Sequence, residues 1–350
     1  MTNGTRSSSV NKSNVRVCVA GCGYWGQNLL RNFNELGALS AVCEQDADRL
    51  KGAGERYPAA RAYSSFREAL ADSAIDAMVI ASPAEMHFDM AMAALDAGKD
   101  VFVEKPMALE PEQGLAMSEA AERRGRILMV GHLLQYHPAI LKIRELLADG
   151  VLGRIEYIYS NRLSNGKIRK EENALWSFAP HDISAILALT GALPVQVSCT
   201  GGAYLQPNIA DVTVSHLLFD RGTRAHIFVS WLHPYKEQRL VVIGSKQMVV
   251  FEDSKKEDKL VLFNKAIEFK NGIFESGKPS GTSVPLDAAE PLRLECQHFL
   301  DCVETRTPPR TDGAEGTRVL KVLQACQRSL QMNGEPVQVH GAAHHKILAL

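Results

Sequence analysis

The sequence predicts an α/β domain built on a parallel sheet, followed by an α+β domain with a large, mostly antiparallel sheet. Three observations predict it. Residues 15–135 alternate short apolar runs with amphipathic helical stretches, the pattern of a parallel sheet covered on both faces. The first apolar run leads straight into a glycine turn that opens a helix. After Gly150 the apolar runs are joined by short links carrying hairpin turn residues.

Taken in order, "VRVCVA" (15–20) is a buried strand, and the helix after it carries Leu29, Leu30, Phe33 and Leu36 on one face. "LSAVCE" is the second strand. Ser65 and Glu68 form a capping box ahead of "FREALAD". "DAMVIAS" is the third clear strand, and a helix from about Ala84 stops at Gly98. "DVFVE" follows, then a helix with Pro111 in its first turn, then the strand "RILMVG". In the second part, "RIEYIYSNR", "VQVSCTGGAY", "DVTVSHLLF", "RAHIFVSWLH", "QRLVVIG" and "QMVVFED" are strands, with turns at "DRGT" and "GSKQ". A helix is expected at about 180–191. Two more close the chain, Pro291–Glu304, with Leu292, Cys296, Phe299 and Val303 on one face, and Ala314–Met332. The expected division is a disordered tail over 1–13, a dinucleotide-binding domain over 14–135, an α+β substrate-binding and oligomerisation domain over 136–335, and a tail over 336–350.

Composition narrows the function classes. The 350 residues are 45% hydrophobic and 23% charged, with a net charge of -1. That suits a globular chain with a substantial core, and argues against nucleic acid as the main partner. The seven cysteines form no CxxC pair, which suits a reduced, cytoplasmic protein. Cys18 and Cys22 are four apart, but one is mid-strand and the other in the glycine turn, so no metal site is expected. The first dozen residues lack an apolar core and read as a tail rather than a signal peptide. No apolar run is long enough to cross a bilayer. The histidines of "HGAAHHKILAL" read as part of a loose tail.

The glycine turn is Gly21-Cys22-Gly23-Tyr24-Trp25-Gly26. Its place between the first strand and the first helix is the context the GxGxxG dinucleotide fingerprint requires, that of a Rossmann domain. Gly21 permits the tight turn, Gly23 lets the backbone approach a pyrophosphate, and Gly26 packs helix against strand. The second strand ends in Glu44, eighteen residues beyond Gly26. A carboxylate there accepts both ribose hydroxyls and repels a 2′-phosphate, favouring NAD over NADP.

"VFVEKPMAL" places Glu104, Lys105 and Pro106 at the end of a buried strand, where open α/β sheets present residues to the ligand crevice. Lysine there can bind a substrate hydroxyl or take part in proton transfer. A salt-bridged pair at a strand end is the structural alternative. Together with a histidine, His181, near the start of the second domain, these motifs resemble the Gfo/Idh/MocA oxidoreductases over nearly the whole chain, from about Val15 to Gly334. The resemblance implies that Lys105 is catalytic, touching substrate and nicotinamide, and that His181 assists it. "CGYWGQNLLRNF", "GHLLQYHPAI", "NRLSNGKIRKEENALWSFAPHDIS" and "SWLHPYKEQRLVVIG" look like the WlbA/WbpB-type sugar-nucleotide 3-dehydrogenases of that family. This implies oxidation of the 3-hydroxyl of UDP-N-acetylglucosaminuronic acid, in surface-polysaccharide biosynthesis.

The loop "NRLSNGKIRKEEN" (161–173) carries Arg162, Asn165, Lys167, Arg169, Lys170 and Asn173. Its cations suit a diphosphate and a uronate carboxylate, while Glu171 and Glu172 leave a solvated charged loop as the bland alternative. Tyr136 and His137 are placed to border the substrate, with His137 expected rather to cap the helix that Pro138 begins or to pack, and Trp231 and His233 to pack along a strand in the core or an interface. The cofactor contacts expected are Gly21, Gly23, Tyr24, Trp25, Gly26, Glu44, Ser82, His87, Glu104 and Lys105. The substrate contacts expected are Lys105, Tyr136, Arg162, Asn165, Lys167, Arg169, Asn173, Ser177 and His181. Many family members carry aspartate four residues before the histidine; here it is Ser177, so Lys105 carries more of the proton chemistry. The division of the base role between Lys105 and His181 stays open. So do three activities: the 3-dehydrogenase above, another sugar or polyol enzyme of the family (acting on UDP-N-acetylglucosamine, an inositol or a keto-sugar), and a dinucleotide-sensing regulator. The resemblance also implies a homodimer or homotetramer, and 2-oxoglutarate as a candidate for cofactor reoxidation.

Overall fold

The computed structural model describes residues 14–339 apart from 167, 265 and 266. The chain forms two units, one of residues up to Gly131 together with Leu292–Ala314, the other of His132–Pro291 together with Glu315 onward.

The first unit runs β1 (Val17–Ala20), α1 (Gly26–Glu35), β2 (Leu39–Cys43), α2 (Ala47–Arg56), β3 (Arg61–Tyr63), α3 (Phe66–Ala71), β4 (Ala77–Ile80), α4 (His87–Asp96), β5 (Asp100–Glu104), α5 (Pro111–Arg124) and β6 (Leu128–Gly131). The strands lie in the order β3-β2-β1-β4-β5-β6, all pairs parallel. β1, β4, β5 and β6 are buried throughout, which is why they read as unbroken apolar runs. The Ser65 hydroxyl accepts from Glu68 N at the head of α3, as its cap spacing predicts. At α5, Glu110 and Gln113 form a full capping box with Pro111 in the first turn. α2 and β3 were not anticipated. α2 contains Gly52 and Gly54, which weaken helix propensity, and β3 is only three residues long, two of them exposed.

The second unit contains α6 (Pro138–Ala148), β7 (Ile155–Leu163), α7 (Ala174–Thr190), β8 (Gln196–Gly202), β9 (Val212–Leu218), β10 (Arg224–Ser230), β11 (Glu237–Gly244), β12 (Gln247–Glu252), β13 (Leu260–Asn264), β14 (Ile267–Lys270), β15 (Ile273–Ser276) and β16 (Gly281–Ser283). After these come α8 (Pro291–Thr305), α9 (Gly313–Gln331) and β17 (Val337–Gln338). Nine strands pair in the order β16-β13-β12-β11-β7-β10-β9-β8-β17. Only β7 and β10 pair in parallel; the others are antiparallel. α7 is buried along most of its length and packs on one sheet face with Ile158, Ile227 and Val229 in the core. Trp231 is fully buried, its indole donating to Asp211 Oδ1 at 2.5 Å. Trp231 and His233 were expected on a strand; both follow the end of β10 at Ser230.

Two expected boundaries change. α8 belongs to the first unit rather than to a continuous second domain over 136–335. Its Phe299 meets Phe33 of α1 at 6.3 Å and Phe102 of β5 at 5.7 Å, both edge-on. Each such pair is worth about 0.5–1.5 kcal/mol beyond its buried area. Past α8, Arg306 bonds Asp100 and the Thr311 hydroxyl donates to Val130 O, both within the same unit. The C-terminal tail expected from 336 begins later, because Val337–Gln338 pairs with β8. The expected tail over 1–13 and the C-terminal histidines lie outside the described residues. Among the described residues no helix is long and apolar enough to cross a membrane.

Candidate active site

In the first unit the site is built at the C-terminal ends of the parallel strands. Gly21 adopts φ +101°, and a Cβ there would lie 2.6 Å from Ala81 O. At Gly26 a Cβ would fall 1.9 Å from Gly21 O. Neither position admits a side chain. At Gly23, by contrast, no protein atom lies within 4 Å of an added Cβ, so this backbone is open to a ligand. Glu44 Oε2 accepts from Cys22 N at 2.8 Å and Oε1 from Asp46 N at 3.1 Å, which fixes the carboxylate against the turn. Beside it, burial and Glu44 push the Cys22 thiol up to about 12, which keeps the thiol neutral. Tyr24 is 92% exposed. Trp25 turns inward, its indole donating to Glu104 Oε1 at 2.5 Å.

Glu104 is 8% exposed. Burial raises its pKa to about 7, opposed by the Trp25 bond and the Lys105 charge. Its second oxygen accepts from Lys105 N at 3.3 Å. Gly131, across on β6, leaves room for this carboxyl: a Cβ there would lie 3.0 Å from its atoms. Lys105 is partly exposed, and its bond to Pro106 is cis. Trp25, Glu104 and Lys105 are therefore held together by direct bonds.

His87 corrects an expectation. It was expected to face the cofactor, yet it is 1% exposed, with Nδ1 2.7 Å from Pro106 O and Nε2 2.9 Å from Ser82 O. Burial lowers its pKa, so the ring is neutral and donates to one of the two carbonyls. It braces the Ser82 segment against the segment that carries Lys105. Ser82 contributes its carbonyl to that brace, and its hydroxyl lies 3.4 Å from Pro83 O.

In the second unit His181 lies in the middle of α7, not at a helix start. The helix begins six residues earlier than expected because Asn173 caps it, accepting from Trp176 N at 3.2 Å. Pro180 inside the helix looked like a start signal in the sequence; a mid-helix proline removes one backbone donor, leaving the Trp176 carbonyl without that partner. Ser177 is buried one turn before His181. Asp182 faces β7 and is 1% exposed. It forms a fork with Arg162, Nε–Oδ2 2.7 Å and Nη2–Oδ1 3.1 Å, and accepts from Ser160 Oγ at 2.6 Å.

Several expected substrate contacts have other partners. Arg162 lies on β7 rather than in a loop and is spent on Asp182. Asn173 caps α7 and donates to Gln327 at 2.9 Å. Arg169 pairs with Glu172 at 3.0 Å. Tyr136 is 1% exposed. Asn165 is exposed, and Lys167 lies outside the described residues. His137 caps α6, its Nδ1 accepting from Ala139 N at 3.1 Å, as the following proline predicts. All seven cysteines are buried and free. Among the described residues no three metal-ligating side chains converge.

Comparison with known proteins decides the family. The profile of the Gfo/Idh/MocA oxidoreductases' NAD-binding Rossmann fold matches residues 15–132, and that of their C-terminal domain matches 140–250. The chain belongs to the Gfo/Idh/MocA family. The chain is 28% identical to UDP-N-acetylglucosamine 3-dehydrogenase of Acidithiobacillus ferrooxidans, over 87% of this chain and 94% of that one. It is 27% identical to scyllo-inositol 2-dehydrogenase (NAD+) of Bacillus subtilis, over 93% and 96%. A solved structure of the Acidithiobacillus enzyme superposes with a TM-score of 0.80 at 25% identity, covering 91% of this chain and 98% of that one. As a member of this family the chain is an NAD-dependent oxidoreductase of CH–OH groups. The residues present fit that cofactor: the open backbone at Gly23, the head of α1 with no acidic residue in its first turn, and the fixed Glu44 carboxylate.

Sequence reasoning missed the bracing role of His87, the Trp25–Glu104 bond and the burial of the Glu295 carboxyl. Glu295 had a visible signal. It lies three residues after Leu292 and four before Phe299, on the apolar stripe of α8.

Proposed function

We propose that this oxidoreductase removes hydride from C3 of a UDP-linked N-acetylamino sugar. The sequence resemblance points to UDP-N-acetylglucosaminuronate, and the Acidithiobacillus relative to UDP-N-acetylglucosamine. The observation that carries this is the 28% identity to that relative across 94% of its length. The inositol enzyme, matched over 96% of its length, supports a polyol as the second reading.

When bound, the nicotinamide accepts the hydride. The chain orients the hydroxyl and manages its proton. Lys105 holds the hydroxyl and stabilises the developing oxyanion, supported by the braces around it: Trp25 and Glu104 on one side, Ser82, His87 and Pro106 on the other. His181 takes the proton or relays it. With Arg162 and Arg169 each facing a carboxylate, the uronate carboxylate and the diphosphate draw on Asn165, Lys167 or backbone donors. Self-association as a homodimer or homotetramer is supported by Tyr157, Tyr159, His226 and Phe228, which share the sheet face opposite α7 and are part-exposed. A cytoplasmic location, a place in polysaccharide-sugar synthesis, and an oxo acid such as 2-oxoglutarate as reoxidant complete the proposal.

The test follows nicotinamide absorbance with both UDP-sugars and with inositols. Lys105→Ala is expected to bind NADH normally and to lose about 10²–10⁴-fold in turnover. Near-normal turnover in that variant, or oxidation of a polyol with none of either UDP-sugar, would overturn the assignment.

A further inference from the structure

At the strand ends opposite the glycine turn, the first unit carries an open cavity of about 430 Å³. Small-molecule sites span about 300–1,000 Å³, and one water takes about 30 Å³. Gly98, Lys99 and Asp100 reach the cavity from the start of β5, and Asp76 from the residue before β4. Arg126 enters just ahead of β6, and Arg306 just past the end of α8. Asp100 and Glu104 stand at the two ends of the five-residue β5, about 13 Å apart at roughly 3.3 Å per residue. The cavity is therefore separate from the glycine turn and from Lys105.

Most of its polar groups are matched. Asp76 is forked by Arg16, Oδ2 accepting from Nε at 2.9 Å and Oδ1 from Nη2 at 2.7 Å. Lys99 is 7% exposed and donates to the carbonyls of Asp72 and Ile75 at 2.8 and 2.6 Å. Asp100 is 1% exposed, and its Oδ1 accepts from Ile127 N and Arg306 Nη1, both at 2.8 Å. Two buried atoms are left over. Asp100 Oδ2 accepts from no described group, and Arg126 Nε donates to none. Buried polar atoms ordinarily find partners, because leaving one unpaired costs its full desolvation. The lining holds three cations, Lys99, Arg126 and Arg306, against two carboxylates, Asp76 and Asp100. Each carboxylate already has an arginine of its own, so the surplus positive charge rests with Arg126.

We propose that this cavity binds a small oxyanion that also carries a hydroxyl group. The oxyanion, a phosphate or a carboxylate, accepts from Arg126 Nε, and the hydroxyl donates to Asp100 Oδ2. A guanidinium is built to donate to such oxygens, and an ionised carboxylate can only accept. A bare oxyanion would set its charge against the open carboxylate oxygen. A neutral alcohol would leave the guanidinium unmatched. The site is independent of the reaction proposed above.

Calorimetric titration of the full chain tests this with glycerol 3-phosphate, glycerate and sulfate, each with and without saturating NADH. Glycerol 3-phosphate or glycerate should bind, and the better of the two tells a phosphate site from a carboxylate site. No saturable binding of either up to about 10 mM would overturn the proposal. Sulfate, which has no donor for Asp100, is expected to bind at least about tenfold more weakly than that ligand; equal affinity would refute the hydroxyl contact. Affinity should be the same with NADH present. Loss of binding under NADH would place the ligand at the glycine turn and sink the idea. Arg126→Gln removes the donor and should weaken binding about tenfold or more while the protein melts like the wild type. Where that variant does not fold, Arg126→Lys takes its place: it keeps the charge, loses the Nε donor and should bind several-fold more weakly. Unchanged affinity in the folded variant would show that the ligand sits elsewhere.

Discussion

Arg162→Ala separates a structural cation from a substrate-binding one. In the wild type the guanidinium forks onto Asp182 through bonds of 2.7 and 3.1 Å, and the side chains are 16% and 1% exposed. Truncation leaves the Asp182 carboxylate with Ser160 Oγ at 2.6 Å as its remaining donor from this cluster. Removing one partner of a buried ion pair costs about 3–5 kcal/mol. The surviving Ser160 bond and the partial exposure of the arginine place the expected cost near the lower end, at about 3 kcal/mol. For a unit of roughly 150–250 residues this lowers its Tm by about 6–12 °C. The double variant Arg162→Met/Asp182→Leu, which removes both charges, should recover most of that loss. Calorimetry measures the melting, and steady-state kinetics with the UDP-sugar measures KM. An Arg162→Ala protein that melts within about 1 °C of wild type while KM rises about tenfold would show that Arg162 serves the ligand and that the fork is dispensable.

Other variants test the remaining assignments. Gly23→Ala meets no protein atom, so it should melt like the wild type yet bind NADH more weakly in a fluorescence titration; unchanged affinity would remove the turn from the binding site. Gly26→Ala, facing a carbonyl at 1.9 Å, should lose both affinity and stability. Asn173→Ala, which deletes the α7 cap and the bond to Gln327, should cost about 1–2 kcal/mol with KM unchanged; a raised KM at constant Tm would restore it as a ligand residue. Glu104 gives a pH dependence. Its pKa rises from 4.5 to about 7 on folding, so the native state binds more protons between those values. Its contribution is most favourable below about pH 4.5 and is lost as pH rises through 7, on the order of 3 kcal/mol in all. Glu104→Gln should flatten the fall in Tm between about pH 5 and 8, and an equally steep fall would refute the buried-carboxyl account.

Much of the site was legible because it depends on local backbone chemistry. Gly21 and Gly26 are glycines because a carbonyl lies where a Cβ would be, and their spacing after a buried strand announces it. The capping residues Ser65 and His137 act on backbone donors two or three positions away, within reach of a sequence pattern. The partners of Arg162 and Asn173 were not legible for the opposite reason. Their partners, Asp182 and Gln327, are 20 and 154 residues distant, and no local pattern records them. His87 was placed at the right strand end, but only the fold shows that both its ring nitrogens are spent on carbonyls.

The sequence by itself determined the parallel sheet, the glycine turn with Glu44 beyond it, and the Glu104-Lys105-Pro106 strand end. Each is written in residues that interact with their own neighbourhood in the chain. The tertiary structure alone decided which side chains are free to do chemistry. It returned α8 to the first unit through Phe33, Phe102 and Phe299. It paired Asp182 with Arg162. Burial and charge pairing depend on contacts between segments far apart in sequence, and those contacts exist only once the chain has folded.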